Sequence, residues 1–177
     1  VAHLNSRELT VVAAGGGSVG DFAGFVASIL KRGVGLIHVP TTWLAAVDSS
    51  HGGKTAMNVA SAKNQIGTFY PAKEIVICYD FLKNQPEARA LEALGELAKI
   101  AIIDGGPWRK KMREGMAPAE MIWKTLKSAI ESKYRVVNRD PYEKTGVRQI
   151  LNLGHTFGHV LEAELGVARG MAVAQGT

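Results

Sequence analysis

The chain has 177 residues and a single cysteine, Cys78. That thiol lies in the apolar run EIVICYD, so an intramolecular disulfide is excluded and a buried structural cysteine is expected rather than a redox centre. Also missing is any run of about eighteen uncharged apolar residues able to span a bilayer. The first residues lack the basic and then apolar layout of a secretory leader. A cytoplasmic protein with no membrane partner is therefore the expectation. Internal repeats and low-complexity tracts are absent. The net charge of +5 raises the question of nucleic acid. However, the one dense basic cluster, Arg109, Lys110, Lys111 and Arg113, has only Trp108 beside it for stacking. Elsewhere the cations stand singly among glycines and polar residues, a pattern that suits a small anionic ligand and argues against a nucleic-acid partner. With 46% hydrophobic and 21% charged residues the composition is that of a globular chain of one or two domains.

The most informative stretch is 39–69, VPTTWLAAVDSSHGGKTAMNVASAKNQIGTF. It places Asp48, Lys54, Lys63 and Asn64 in a segment dense in Gly, Ser and Thr. Lysine and aspartate are almost never buried without partners, so this reads as a polar pocket rather than core. The glycines at 52 and 53 let backbone approach a ligand, and Lys54 follows to meet an anion. A solvated loop with incidental charges is the alternative, but the loop is long and its flanks are apolar.

Strand and helix signals alternate around it. Residues 9–14, LTVVAA, read as a buried strand ending at Gly15, Gly16 and Gly17. A helix follows, with Phe22, Phe25, Val26, Ile29 and Leu30 as its apolar stripe and Gly33 as its stop. A strand, a glycine turn and a helix aim backbone N–H groups at a phosphate, although a plain βα turn has the same signature. Further strands are expected over 36–39 and 74–80, with the polar opening and a helical segment between them. Together these imply a parallel sheet with its ligand crevice at the strand carboxyl ends, where the Gly15 and the Pro40–Thr41–Thr42 turns fall. Beyond Pro86 the pattern turns helical, over 87–103, 118–137 and 147–165. An α/β domain over 1–85 and an all-helical domain over 86–177 follow.

In NLGHTFGH, His155 and His159 stand four apart, on one face if the segment is helical. Glu96 and Lys99, three apart on an earlier helix, could present a carboxylate and an ammonium. Such a set could hold zinc, or could equally be interior histidines and a surface ion pair.

In order, PTT, AxVDSS, GGKT and KNxIGxFYxP resemble the motifs of 3-dehydroquinate synthase, a sugar-phosphate cyclase family. The segment GELAKIAI resembles that family's AEVIKxG, and GVRQILNLGHTFGHVLEAELG resembles its GLRxLLNxGHTxGHAIE signature. The match runs from about residue 11 to 176. It implies a Rossmann-like NAD-binding domain followed by a helical metal- and substrate-binding domain, together forming the middle part of a longer fold. By that resemblance Glu96 and His155 are ligands of a zinc or cobalt ion. Lys99, Arg148, Asn152 and His159 line the substrate pocket, and Lys133 is a further substrate lysine. Asp48, Lys54, Lys63 and Asn64 bridge cofactor and substrate, and Gly15, Gly16, Gly17, Asp21, Thr41 and Thr42 contact NAD. Arg32, in KRG, is the arginine that one subunit of the family's homodimer lends to its neighbour. The reaction implied is that of the shikimate pathway of aromatic amino acid biosynthesis. In it 3-deoxy-D-arabino-heptulosonate 7-phosphate becomes 3-dehydroquinate and phosphate by transient oxidation, phosphate elimination and aldol closure.

One departure from the family pattern matters. Its next metal ligand is the histidine of HGEAVA, where this chain reads Arg169-Gly-Met-Ala-Val-Ala. A guanidinium stays protonated and cannot donate a lone pair to a metal. A related cyclitol synthase would share these motifs, and a homologue that binds NAD without catalysis would suit Arg169. A glycerol-dehydrogenase-type enzyme would share the domain pairing but release NADH.

Overall fold

The computed structural model describes residue 5 and residues 8–60, 62–112 and 115–153. The chain forms two compact units, Val1–Leu82 and Lys83–Thr177.

The first unit is α/β. Strand β1 (Thr10–Gly15) leads through a tight turn into helix α1 (Gly17–Ile29), then to β2 (Gly35–Pro40). The two strands pair in parallel with Thr10 opposite Gly35 and Gly15 opposite Pro40, so both strand ends deliver their turns to one edge of the sheet. β5 (Glu74–Ile75) adds to the far side of β2, giving the order β1-β2-β5. Ala13, Ala27, Val34 and Leu36 are the buried core between sheet and helix, with Leu9, Val11, Ala23, Leu30, Tyr70 and Ala72 packed round them. His38 lies buried in β2 against Gly20 of α1, and burial holds its imidazole below the ordinary pKa, in the neutral form.

The apolar stripe of α1 faces this core only in part, with Leu30 packed against it and Phe25 and Val26 half-buried. Gly24 and Ala27 are the buried positions, while Phe22 is 60% and Ile29 59% exposed. The cause is the closeness of strand β3 (Lys54–Val59), since a Cβ on Gly24 would meet Thr55 Cγ2 at 2.6 Å. Tight helix–strand approach selects the small face and turns the bulky one outward.

Between β2 and β5 the expected helical segment is short, the turn Ala45–Ser49, and an antiparallel hairpin of β3 and β4 (Ala62–Phe69) that was not expected follows it. β-branched Thr55, Val59, Ile66 and Thr68 favour extended backbone. Thr55 closes the ladder, its Oγ1 accepting the Thr68 amide at 3.0 Å and lying 3.1 Å from the Thr68 carbonyl. Gly67 is obligatory here, because a Cβ would stand 1.9 Å from the Thr55 carbonyl oxygen. After it the Tyr70 hydroxyl donates to Val34 O at 2.6 Å, tying the hairpin's exit to the α1–β2 loop. The strand expected over 74–80 stops after two residues, and a short helix α2 (Tyr79–Leu82) begins before the run ends.

The second unit is helical throughout its described residues. α3 (Glu87–Asp104) and α4 (Pro118–Val137) pack on each other, burying Ala93, Leu97 and Ile100 from one and Ile122, Leu126 and Ala129 from the other. Gly95 is buried inside a continuous α3. Gly105 stops that helix with φ 61, its amide capping Ala101 O. Asp104 then joins the two helices, accepting Trp108 Nε1 at 2.7 Å and pairing with Arg135. Burial alone would raise the Asp104 carboxyl, but these donors hold it below its ordinary pKa. In place of the helix expected over 147–165, residues Val147–Asn152 form a 3-10 turn, and the remainder lies outside the described residues. Among the described residues no helix is long and apolar enough to cross a membrane.

Candidate functional site

In the first unit the candidate residues are gathered by backbone. Thr41 donates its amide to Gly15 O at 2.9 Å, fastening the two strand-end turns together. A Cβ on Gly16 would meet Thr42 Cγ2 at 3.2 Å, and one on Gly17 would meet Ser49 Oγ at 3.1 Å. The N-cap Gly16 has φ −82 and ψ −171, which any residue adopts. These glycines are therefore needed for proximity rather than conformation. They open α1, whose N-terminal amides and dipole favour an anion, and Asp21 sits one turn further along. Thr42 starts the next turn by accepting the Ala45 amide on Oγ1 at 3.2 Å. The π-helical turn Ala45–Ser49 that follows buries Ala45, Ala46 and Val47 and carries Asp48. Gly15, Gly16, Gly17, Thr41, Thr42 and the Asp48 turn thus form one contiguous group.

Lys54 leaves this group through Gly52, φ 93, and Gly53, φ 69. At Gly53 a Cβ would also meet Pro71 Cα at 2.8 Å, so space and conformation both demand glycine. Lys54 begins β3, opposite Phe69. Lys63 and Asn64 lie toward the other end of the hairpin, roughly 17 Å away at the rise of an extended strand. Asn64 has φ 56 and donates its amide to Asn58 Oδ1 at 3.0 Å. Arg32 is exposed, with φ 65, where α1 ends. It therefore stands at the opposite end of that helix from Gly15–Gly17, roughly 20 Å along the axis.

In the second unit the candidates are gathered by buried charge. Glu96 and Lys99 on α3 are each 2% exposed and pair with one another. Lys133 on α4 and Arg148 in the 3-10 turn are buried as well, and both elements pack on their neighbours in this unit. Asp140, which the sequence reading did not single out, organises the approach to Arg148. Its Oδ1 accepts the amides of Lys144 at 2.8 Å and Thr145 at 3.1 Å, and its Oδ2 accepts that of Arg148 at 3.2 Å. Burial would raise this carboxyl, but the three amides, Arg148's foremost, draw it down to about 2. Arg148 in turn donates Nη1–H to Pro141 O at 2.6 Å. The Asp-Pro step in NRDPYEKTG was the available signal, since such residues build turns by accepting neighbouring amides. Asn152 is exposed, its Nδ2 3.4 Å from Glu143 Oε1. His155, His159 and Arg169 lie outside the described residues.

These buried groups in the second unit comprise three cations, Lys99, Lys133 and Arg148, and two carboxylates, Glu96 and Asp140. Charges in a protein interior need partners, and a surplus of cations is suited to an anionic ligand. Glu96, a sheltered carboxylate, has the donor chemistry of a metal ligand. Among the described residues no group of three His, Cys, Asp or Glu side chains stands ready around a metal. Glu96 with His155 makes a set of one carboxylate and one imidazole, a donor short of the usual catalytic zinc site.

Two family descriptions match the chain end to end. Residues 1–92 match the N-terminal part of 3-dehydroquinate synthase and residues 93–177 its C-terminal part. A 3-dehydroquinate synthase of Alkaliphilus metalliredigens (strain QYMF) is 44% identical over 163 residues, covering 89% of this chain and 46% of that protein. The chain thus spans about half the length of the curated relative it matches. Among solved structures, 2-deoxy-scyllo-inosose synthase complexed with carbaglucose-6-phosphate, NAD+ and Co2+ is 34% identical. It superposes with a TM-score of 0.85 over 96% of this chain and 48% of that one. The 2-epi-5-epi-valiolone synthase of Streptomyces hygroscopicus subsp. jinggangensis 5008, with NAD+ and Zn2+ bound, shares the fold at 24% identity and TM-score 0.81, over 97% of this chain and 50% of that one.

Proposed function

Since the chain belongs to the 3-dehydroquinate synthase family, we propose that it carries the cofactor and substrate determinants of a cyclase. The reaction proposed converts 3-deoxy-D-arabino-heptulosonate 7-phosphate to 3-dehydroquinate and phosphate, a carbon–oxygen lyase step of the shikimate pathway. The carrying observation is the set of buried cations among the described residues of the second unit, Lys99, Lys133 and Arg148. Lysine and arginine side chains of this kind suit an anionic sugar phosphate through charge-assisted bonds.

What the bound groups supply is a reversible hydride acceptor in NAD and, in a zinc or cobalt ion held by Glu96 and His155, polarisation of the alcohol oxygen. The relatives' Co2+ and Zn2+ support the choice of metal, and their NAD+ the cofactor. The chain's own groups have separate tasks. Gly15, Gly16 and Gly17 admit the dinucleotide's phosphates to the amides that open α1. Asp21, Thr41, Thr42, Asp48 and Lys63 orient it. Lys54, Lys99 and Arg148 hold the substrate's carboxylate and phosphate through charge-assisted bonds, strengthened by exclusion of water. Asn64, Lys133 and Asn152 fix its hydroxyls. His159 moves a proton near neutral pH. We assign residues 1–85 to cofactor binding, with Lys54 and Asn64 also serving the substrate, and 86–177 to substrate and metal.

The assembly proposed is a cytoplasmic homodimer. Arg32 supports it, being exposed and far along α1 from its own glycine turn, on a helix that also exposes Phe22 and Ile29. The identity to 2-deoxy-scyllo-inosose synthase supports a second reading, a cyclase acting on another sugar phosphate. The test is phosphate release by a family-length polypeptide carrying this sequence, with NAD and zinc added and each omitted in turn. Release from the heptulosonate phosphate, with no lasting NADH absorbance, is expected. Release only from a hexose phosphate would establish the second reading, and accumulating NADH would make the protein a dehydrogenase. No release until Arg169→His is introduced would make it an impaired homologue.

A further inference from the structure

The turn that carries Asp48 is not closed by main chain alone. In its π-helical ladder the Ser50 amide donates to Ala45 O at 3.2 Å, a step of five residues. The next step would bring the His51 amide to Ala46 O. Instead that amide turns back to Asp48 O at 3.1 Å, and the imidazole Nε2 of the same residue bonds Ala46 O at 2.9 Å. A carbonyl only accepts, so Nε2 carries the hydrogen. His51 is 5% exposed and Ala46 fully buried, so no water stands ready to replace this bond. The side chain thereby takes over the contact that its own amide gives up, and the backbone is free to reverse at Gly52 and Gly53 toward Lys54. The other end of the turn is fixed by Thr42 Oγ1, so a threonine and a histidine clamp the segment between them.

We infer that His51 is a positioning residue, whose Nε2–H bond to Ala46 O holds Asp48 in place and sets the direction in which the chain leaves for Lys54. Its consequence for ligands rests on the reading that Asp48 and Lys54 serve the cofactor and substrate. In the family-length protein, His51→Gln places an amide N–H where Nε2 was, His51→Asn is too short to reach, and His51→Leu has no donor. NAD affinity by titration calorimetry, and amide hydrogen exchange over 48–54, are read for each. The expected result is that Gln stays within about twofold of wild type, whereas Asn and Leu bind NAD about tenfold more weakly and lose exchange protection at Gly52, Gly53 and Lys54. Wild-type affinity and protection in the Asn and Leu proteins would overturn the inference. So would a folded Gln protein that fails as badly as Leu. Absence of NAD binding by the wild type would sink the cofactor reading instead, and the exchange data would still decide whether His51 sets the turn.

Discussion

The two units prepare for anions by opposite means. In Val1–Leu82 the described candidates are mostly backbone, with glycines at 15, 16 and 17 packed against Val19, Thr42 and Ser49 respectively, at the opening of a helix. Partial charges on amides need little desolvation, so this arrangement burdens the fold lightly. In Lys83–Thr177 the means are full charges on side chains, with Glu96, Lys99, Lys133 and Arg148 all buried. Full charges taken out of water are expensive unless matched, and matched pairs add little stability over apolar residues of the same size. The difference teaches that sequence changes should separate binding from stability in the first unit and entangle them in the second.

The largest effect is expected where a buried pair is halved. Lys99→Met leaves Glu96 sheltered without its ammonium and should destabilise the second unit by about 3–5 kcal/mol, measured by urea unfolding. Next comes the steric lock of the hairpin. Gly67→Ala puts a Cβ on the Thr55 carbonyl and should cost about 1–3 kcal/mol, with β4 amides exchanging faster than those of β1. A smaller effect is expected at Gly17→Ala, whose neighbour is the movable Ser49 hydroxyl. Stability should stay within about 1 kcal/mol while NAD affinity falls about tenfold, the separation expected of a backbone site. If both fall together, the contrast between the units breaks.

The last effect is that of Asp140, whose contribution is present at neutral pH and is lost in acid. Its folded pKa is depressed to about 2, so the ionised form stabilises the fold above the ordinary carboxyl pKa. That contribution should disappear as pH falls from about 4 toward 2, as the group takes up its proton. Asp140→Asn should flatten that part of the urea midpoint against pH, since an amide takes up no proton there, and should lower the midpoint at neutral pH, since its Nδ2 cannot accept the Arg148 N–H. An unchanged acid limb would mean that Asp140 does not order the loop.

Much of the fold was legible because it was written in local patterns. Parallel β1 and β2, α1, and helices α3 and α4 followed from apolar period and from Pro and Gly punctuation. The face of α1 was not legible, because what decides it is the closeness of Thr55, thirty-one residues beyond Gly24 in the chain. Period analysis sees which residues share a face and not which face a neighbour permits. The hairpin was hidden for a similar reason, as polar Lys63 and Asn64 near its turn mask the alternation of Thr55, Val59, Ile66 and Thr68. Of the candidate site, the motifs pointed to Glu96, Lys99 and Arg148 without their supports. Asp140 and His51 act through amides and a carbonyl, and sequence spacing carries little trace of such bonds.

The most direct test of the contrast is a double substitution, Glu96→Met with Lys99→Met, read for urea stability and for phosphate release from the heptulosonate phosphate. If the buried charges serve the ligand rather than the fold, the double variant should be at least as stable as wild type, recovering what Lys99→Met alone lost, and should release no phosphate. A double variant as unstable as the single one, or one that still releases phosphate at the wild-type rate, would contradict the account.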